Sequence, residues 1–193
     1  MTTFQVPTDW KSAKWWSNRS VEERLFHAKF PKRFANIEAT LDDELSDWCE
    51  CFAAGDSLFI TGPSGVGKTV AACLLLREII TGDDLSGRFV AADIYIEMLK
   101  DQFDNDNLLP EMYSSPYLIK YIQGVFDVVV LDGVGQERST EFSTHELGSL
   151  IRRRHNDMRS MIITTSLSVT DFTRRYGDRV KSAVADMVVY RMV

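Results

Sequence analysis

Eight consecutive residues have the types and spacing needed to hold phosphate: Gly62, Pro63, Ser64, Gly65, Val66, Gly67, Lys68 and Thr69, with Val70 directly after them. Glycines at 62, 65 and 67 let the backbone wrap closely and turn its N–H groups inward. Lys68 supplies an ammonium for β- and γ-phosphates, and the Thr69 hydroxyl is a ligand for Mg²⁺. A helix opening near Lys68 adds the positive end of its dipole. The pattern G-x-x-x-x-G-K-[ST] is matched in full, and a short apolar strand (SLFIT, 57–61) precedes it. The expected ligands are ATP and Mg²⁺.

A metal held this way needs a second oxygen donor, and Asp132 has the right setting. Val128 to Leu131 form an apolar run that ends in this aspartate. The C-terminal end of a strand is where ligands bind in open α/β sheets. Asp-Gly also favours turns, but with the glycine loop 63 residues upstream of it, magnesium coordination by Thr69 and Asp132 is the expected role.

Stepping outward from these residues, strand and helix patterns alternate. Strands are expected at 57–61, 87–92, 127–131, 160–165 and 186–192. Helices are expected at 68–80, 93–103, from 115 onward, 140–154 and 169–183, with a polar loop at 104–114. Five strands alternating with helices imply an α/β fold with a parallel sheet covered on both faces. The interval between the glycine loop and Asp132 leaves room for another strand. This suits the additional-strand class of P-loop NTPases, in which a further strand lies between the two motif strands. In that class Thr164–Thr165–Ser166 ends the intervening strand and can sense the γ-phosphate.

Residues 1–36 read as an extension, with Trp10, Trp15 and Trp16 among Lys11, Lys14 and Arg19, and residues 37–193 read as the ATPase domain. Charge divides the chain in the same way. Residues 1–36 carry a net +4, 37–150 a net −15 and 151–193 a net +5. Basic ends that fold onto one face would suit nucleic acid; dispersed, they are ordinary solvated surface. Cys49, Cys51 and Cys73 form neither a zinc framework nor a disulfide pattern, which fits free thiols in a reducing cytoplasm. No apolar run is long enough to span a bilayer, and no secretory signal opens the chain.

Several segments together resemble the DnaC/IstB branch of AAA+ ATPases, across about residues 30–192: FPKRF (30–34), the glycine loop, LDGVGQE (131–137), LGSLIRRRH (147–155), IITTSLS (162–168) and YGDRV (176–180). The resemblance implies that Asp132 is the Walker B aspartate and that Ser166 takes the sensor 1 position. It places Arg179 as an arginine finger for a neighbouring subunit's ATP and gives Arg154 a part between subunits. It also implies a replicative DNA helicase as partner, single-stranded DNA as a further contact, and homo-oligomers joined through ATP-bridged interfaces, with no membrane association.

The chain departs from that pattern in ways that bear on hydrolysis. Gly133 stands where the family usually has a second acid, and Glu137 is the nearest carboxylate able to orient a water in its place. Ser166 is shorter than the usual Asn. The chain stops at Val193, so no helical lid and no sensor 2 arginine are expected, as in a trimmed, phage-type version. Slow hydrolysis is the consequence. The leading expectation is a helicase loader. The alternatives are an IstB-like, ATP-dependent transposition regulator and a P-loop small-molecule kinase, though 101–115 is acidic and Asn-rich where a kinase has an Arg-rich lid. A non-catalytic assembly protein would share the loader's site.

Overall fold

The computed structural model describes residues 18–29, 31–34, 37–82, 85–101 and 115–193. Among the described residues two helices come first, α1 (Val21–His27) and α2 (Asp43–Glu50), with a short 3-10 turn at Lys32–Phe34 between them. Ser20 and Glu23 cap the start of α1 reciprocally. Asp42 caps α2 by accepting from Leu45 N–H at 3.0 Å.

The alternating part follows in order: β1 (Leu58–Thr61), α3 (Lys68–Gly82), β2 (Gly87–Ala91), α4 (Ala92–Asp101), α5 (Ser115–Gly124), β3 (Val128–Val134), α6 (Glu141–Asn156), β4 (Ser160–Thr165), α7 (Val169–Tyr176), α8 (Lys181–Ala185) and β5 (Val188–Arg191). Among the described residues the five strands form one parallel sheet, ordered β2-β3-β4-β1-β5. β4 therefore lies between the P-loop strand β1 and the Asp132 strand β3, the additional-strand arrangement expected from the sequence.

Period-two alternation explains how the sheet is buried on both sides. Leu58, Ile60, Val128, Val130 and Ile162 face a layer built on α2 and α3. Phe59, Val129, Leu131 and Ile163 face the opposite layer, built on α4, α5, α6, α7 and α8. The catalytic-side register is interrupted at one place. Leu131 pairs with Ile163 and Val134 with Thr165, so Asp132 and Gly133 together oppose Thr164. Gly133 adopts φ +72°, a conformation that side chains resist. The bulge sits at the carboxylate that the site depends on, where such features re-aim a side chain.

Three local readings change. First, α2 has no counterpart in the expected elements, because its eight residues are mostly polar, although Leu45, Trp48 and Cys49 turn toward the core. Second, the helical stretch expected over 169–183 is broken at Gly177, which caps α7 with φ +76° and starts a 3-10 turn at Asp178–Val180. Third, position 36 does not bound the packed unit. Ala28 and Phe34 belong to the core beneath α3. Arg24 donates to Ile80 O, Arg88 to His27 O, and Phe89 N–H to Ala28 O at 2.8 Å. The α1 segment thus covers the outer edge of β2. At the opposite edge, the Tyr190 hydroxyl donates to Asp42 and ties β5 to α2. Trp10, Trp15, Trp16 and the 104–114 loop lie outside the described residues.

Candidate nucleotide-binding site

The glycine loop joins β1 to α3, at the C-terminal edge of the sheet. Its conformation requires glycine where the chain has it. Gly62, Gly65 and Gly67 all have positive φ, at +155°, +87° and +101°. A Cβ on Gly62 would sit 2.2 Å from the Met192 carbonyl oxygen, while around Gly65 nothing lies within 4 Å. The loop is thus packed against the end of β5 at its first glycine and open at its second. The first-turn N–H groups of α3 have no acceptor within the helix and face this opening.

Lys68 is buried, and its ammonium donates to the carbonyls of Gly62 and Pro63 at 2.7 and 2.6 Å. Burial lowers its pKa, and the nearby Asp132 carboxylate acts in the opposite direction. An ammonium has three donors, so one remains beyond the two loop contacts. Thr69, in the first turn of α3, donates to Asp132 Oδ1 at 2.8 Å. Thr164 donates to the same oxygen at 2.7 Å and accepts from Gly133 N–H at 2.8 Å.

This donor set can be tested against Mg²⁺. No group of three or more His, Cys, Asp or Glu side chains able to hold a metal occurs among the described residues. One carboxylate and one hydroxyl do not make a resident metal site. They do fit a hard cation that takes its remaining ligands from phosphates and water, which is how Mg²⁺ is ordinarily held.

The other expected residues fall elsewhere. Thr165 is fully buried, donating to Val134 O at 2.6 Å and accepting from Leu167 N–H, so it is directed away from any phosphate. Ser166 is exposed beyond the end of β4. Of the three residues 164–166, the structure brings Thr164 to Asp132.

Two assignments need correction. Arg154 is fully buried, and its guanidinium donates to the carbonyls of Ile122, Phe126, Asp127 and Ser160 at 2.7–3.2 Å. Burial lowers its pKa to about 9, which still leaves it charged at neutral pH. A side chain enclosed in this way holds α5, β3, α6 and β4 together and does not reach another subunit. Glu137 is also buried. Its Oε1 accepts from Arg175 at 2.6 Å and Tyr176 OH at 2.8 Å, and its Oε2 accepts from Gly135 N–H at 2.7 Å. These three donors occupy both oxygens, so the carboxylate is not placed to orient a water. Arg175 and Tyr176 complete this cluster; Arg175 carries no spacing signal in the sequence, and Tyr176 opens the YGDRV segment without a role of its own there. Arg179 is exposed on the 3-10 turn that follows Gly177.

A five-stranded parallel sheet with an inserted strand, a glycine loop and a strand-end aspartate define a P-loop ATPase module of the AAA+ type. The chain belongs to the IstB-like ATP-binding protein family, whose model matches residues 12–193. Its structure is similar to that of the DnaC helicase loader, with 25% identity and a TM-score of 0.70, over 84% of this chain and 99% of that one. It also shares its fold with DnaI, at 16% identity and TM-score 0.63 over 84% and 94% of the two chains. The same holds for AMPPCP-bound DnaA from Aquifex aeolicus, at 14% identity and TM-score 0.64, where the match spans 84% of this chain and 51% of that one. No curated protein matches the chain by sequence. Among the described residues, no helix is long and apolar enough to cross a membrane.

Proposed function

We propose that this chain is a helicase loader: with ATP and Mg²⁺ bound, it engages a replicative DNA helicase and helps place it on single-stranded DNA. The observation that carries the reading is the likeness to the DnaC helicase loader over 99% of that chain, joined to an assembled P-loop and Asp132. Thr69 and Asp132 would hold Mg²⁺, which when bound neutralises phosphate charge. Lys68 and the N–H groups of the loop orient the phosphates, and Thr164 fixes the Asp132 carboxylate.

ATP serves chiefly as an assembly signal. Gly133 has no side chain and both oxygens of Glu137 are engaged, so among the described residues neither of these two positions supplies a base beside Asp132. Hydrolysis is slow in a single chain. Exposed Arg179 is the group that would approach a neighbouring subunit's ATP in a homo-oligomer, where an arginine supplied in trans accelerates phosphoryl transfer. Single-stranded DNA is the further contact of a loader, and such binding weakens steeply with salt. The Trp-rich first residues are the segment proposed to meet the helicase.

The test is a pull-down from source cells with ATP·Mg²⁺ and again without nucleotide. Recovery of the replicative helicase in the ATP arm supports the loader. Recovery of a transposase would replace it with the transposition-regulator reading. Membership of the IstB-like family speaks against the small-molecule kinase.

A further inference from the structure

The buried cluster around Glu137 joins two regions that are otherwise separate. On one side is the segment leaving Asp132. Gly133 N–H donates to Thr164 Oγ1, which donates to Asp132. Gln136 N–H closes a turn onto Gly133 O at 3.0 Å. Gly135 N–H then donates to Glu137 Oε2. On the other side is the C-terminal end of α7. Arg175 donates to Gly135 O at 2.9 Å, to Glu137 O at 3.1 Å and to Glu137 Oε1, and Tyr176 donates to the same oxygen. The residue after Tyr176 is Gly177, and the turn carrying Arg179 begins directly beyond it.

Arg175 therefore fixes the carbonyls on either side of Gln136, within the 133–137 turn, and Glu137 fixes both residues that end α7. The Glu137 side chain is 2% exposed and that of Arg175 22% exposed, so water competes little for the pair. Tyr176 packs beneath it against Phe172, with ring centroids 4.6 Å apart. Here four donor–acceptor contacts bind one turn to one helix end, and the turn starts beside the carboxylate of the nucleotide site.

We propose that Glu137, Arg175 and Tyr176 are positioning residues that transmit the state of the Asp132 site to the Arg179 turn. ATP bound at the P-loop shifts the Asp132–Thr164–Gly133 bonds, the 133–137 turn follows, and α7 re-aims the segment 177–182. The inference rests on the ATP-site reading above and adds how that site controls the exposed arginine. Coupling of this kind needs a demonstrated response at both ends.

The experiment is hydrogen exchange on the full chain with and without ATP·Mg²⁺, following amides of 62–70 and of 177–182 separately. Wild type is compared with Arg175→Lys and with Tyr176→Phe, which keeps the ring and the ion pair and so preserves the fold. ATP affinity and thermal stability are measured on the same samples. In wild type, ATP slows exchange in both segments, by about fivefold or more at 177–182. In both variants the response at 62–70 persists with ATP affinity near wild type, and the response at 177–182 is lost. A role confined to holding the fold would raise basal exchange and leave the ATP response in place, which overturns the proposal. So does a wild-type chain that responds at 62–70 alone. A wild-type chain that binds no ATP removes the nucleotide reading and the coupling with it.

Discussion

Thr69 and Thr164 donate to one and the same oxygen, Oδ1 of Asp132, at 2.8 and 2.7 Å. One hydroxyl comes from the first turn of the P-loop helix and the other from the strand inserted beside it. The arrangement fixes the carboxylate from two sides before any ligand is considered. It also explains why the inserted strand matters to the site: without β4 between β1 and β3, nothing would stand at the position of Thr164.

Thr164→Val keeps the shape of the side chain and removes its hydroxyl. Asp132 then loses a donor and Gly133 N–H loses its acceptor, in a place that is 1% exposed. The expected loss is about 2 kcal/mol of stability. Thr164→Ser, which retains the hydroxyl, should lose about 1 kcal/mol. Urea unfolding of the two variants distinguishes hydroxyl chemistry from packing: a Thr164→Val variant as stable as wild type would show that the hydrogen bonds do not matter.

Arg154→Met leaves four buried carbonyls without their common donor. A loss of at least about 3 kcal/mol is expected. Arg154→Lys should not restore it, since an ammonium cannot span four carbonyls in the plane of a guanidinium. The folded fraction of either variant should bind ATP as wild type does. A variant of normal stability that failed only in self-association would reinstate Arg154 as an intersubunit group.

Gly62→Ala and Gly65→Ala separate packing from backbone strain. Both positions have positive φ, but only at Gly62 would the methyl meet a backbone oxygen, that of Met192 at 2.2 Å. Gly65→Ala should cost about 1 kcal/mol, and Gly62→Ala several times that, with displacement of the β5 end. Thermal unfolding ranks them, and equal losses would mean that the close approach of β5 to the loop is not maintained in solution.

Stability should decline in alkali. Burial pushes the Cys73 thiol from its ordinary 9.0 up to about 12, with Asp132 adding to the rise. Its pKa is raised in the folded state, so its contribution is intact below pH 9 and is lost as pH climbs toward 12. The slope per group is at most about 1.4 kcal/mol per pH unit. Burial likewise raises Tyr95 from 10.0 to about 12. Cys73→Ala should therefore move the onset of the decline from about pH 9 to about pH 10. An unchanged onset would show that Cys73 is not protected from ionisation.

Much of this was legible in the sequence because the decisive signals are local. The glycine spacing at 62–67, Lys68, Thr69 and the apolar run into Asp132 each announce themselves without reference to the rest of the chain. β1, β3 and β4 were legible because buried parallel strands are continuous apolar runs. What sequence could not supply was the direction of side chains after β3 and β4. Glu137 is acidic and close to Asp132 in sequence, yet the bulge at Asp132–Gly133 and the turn at Gly133–Gln136 carry it to Arg175 and Tyr176. Arg154 lies in a run of three arginines that looks like a basic surface, but helical rotation turns the third of them inward while Arg152 and Arg153 stay exposed. Helix α2 was missed because it is short and mostly polar, although Leu45, Trp48 and Cys49 recur at helical spacing.

The most direct measurement is a calorimetric titration of ATP, with Mg²⁺ and with a chelator, into wild type, Lys68→Ala and Asp132→Asn. Lys68→Ala should lower affinity by at least about 100-fold with the fold intact by circular dichroism, because charge-assisted phosphate contacts are lost. Wild type should lose affinity when Mg²⁺ is removed, and Asp132→Asn should bind weakly and respond little to the metal. Wild-type affinity in Lys68→Ala, or an undiminished Mg²⁺ response in Asp132→Asn, would contradict the assignment of this loop and this carboxylate as the ATP site.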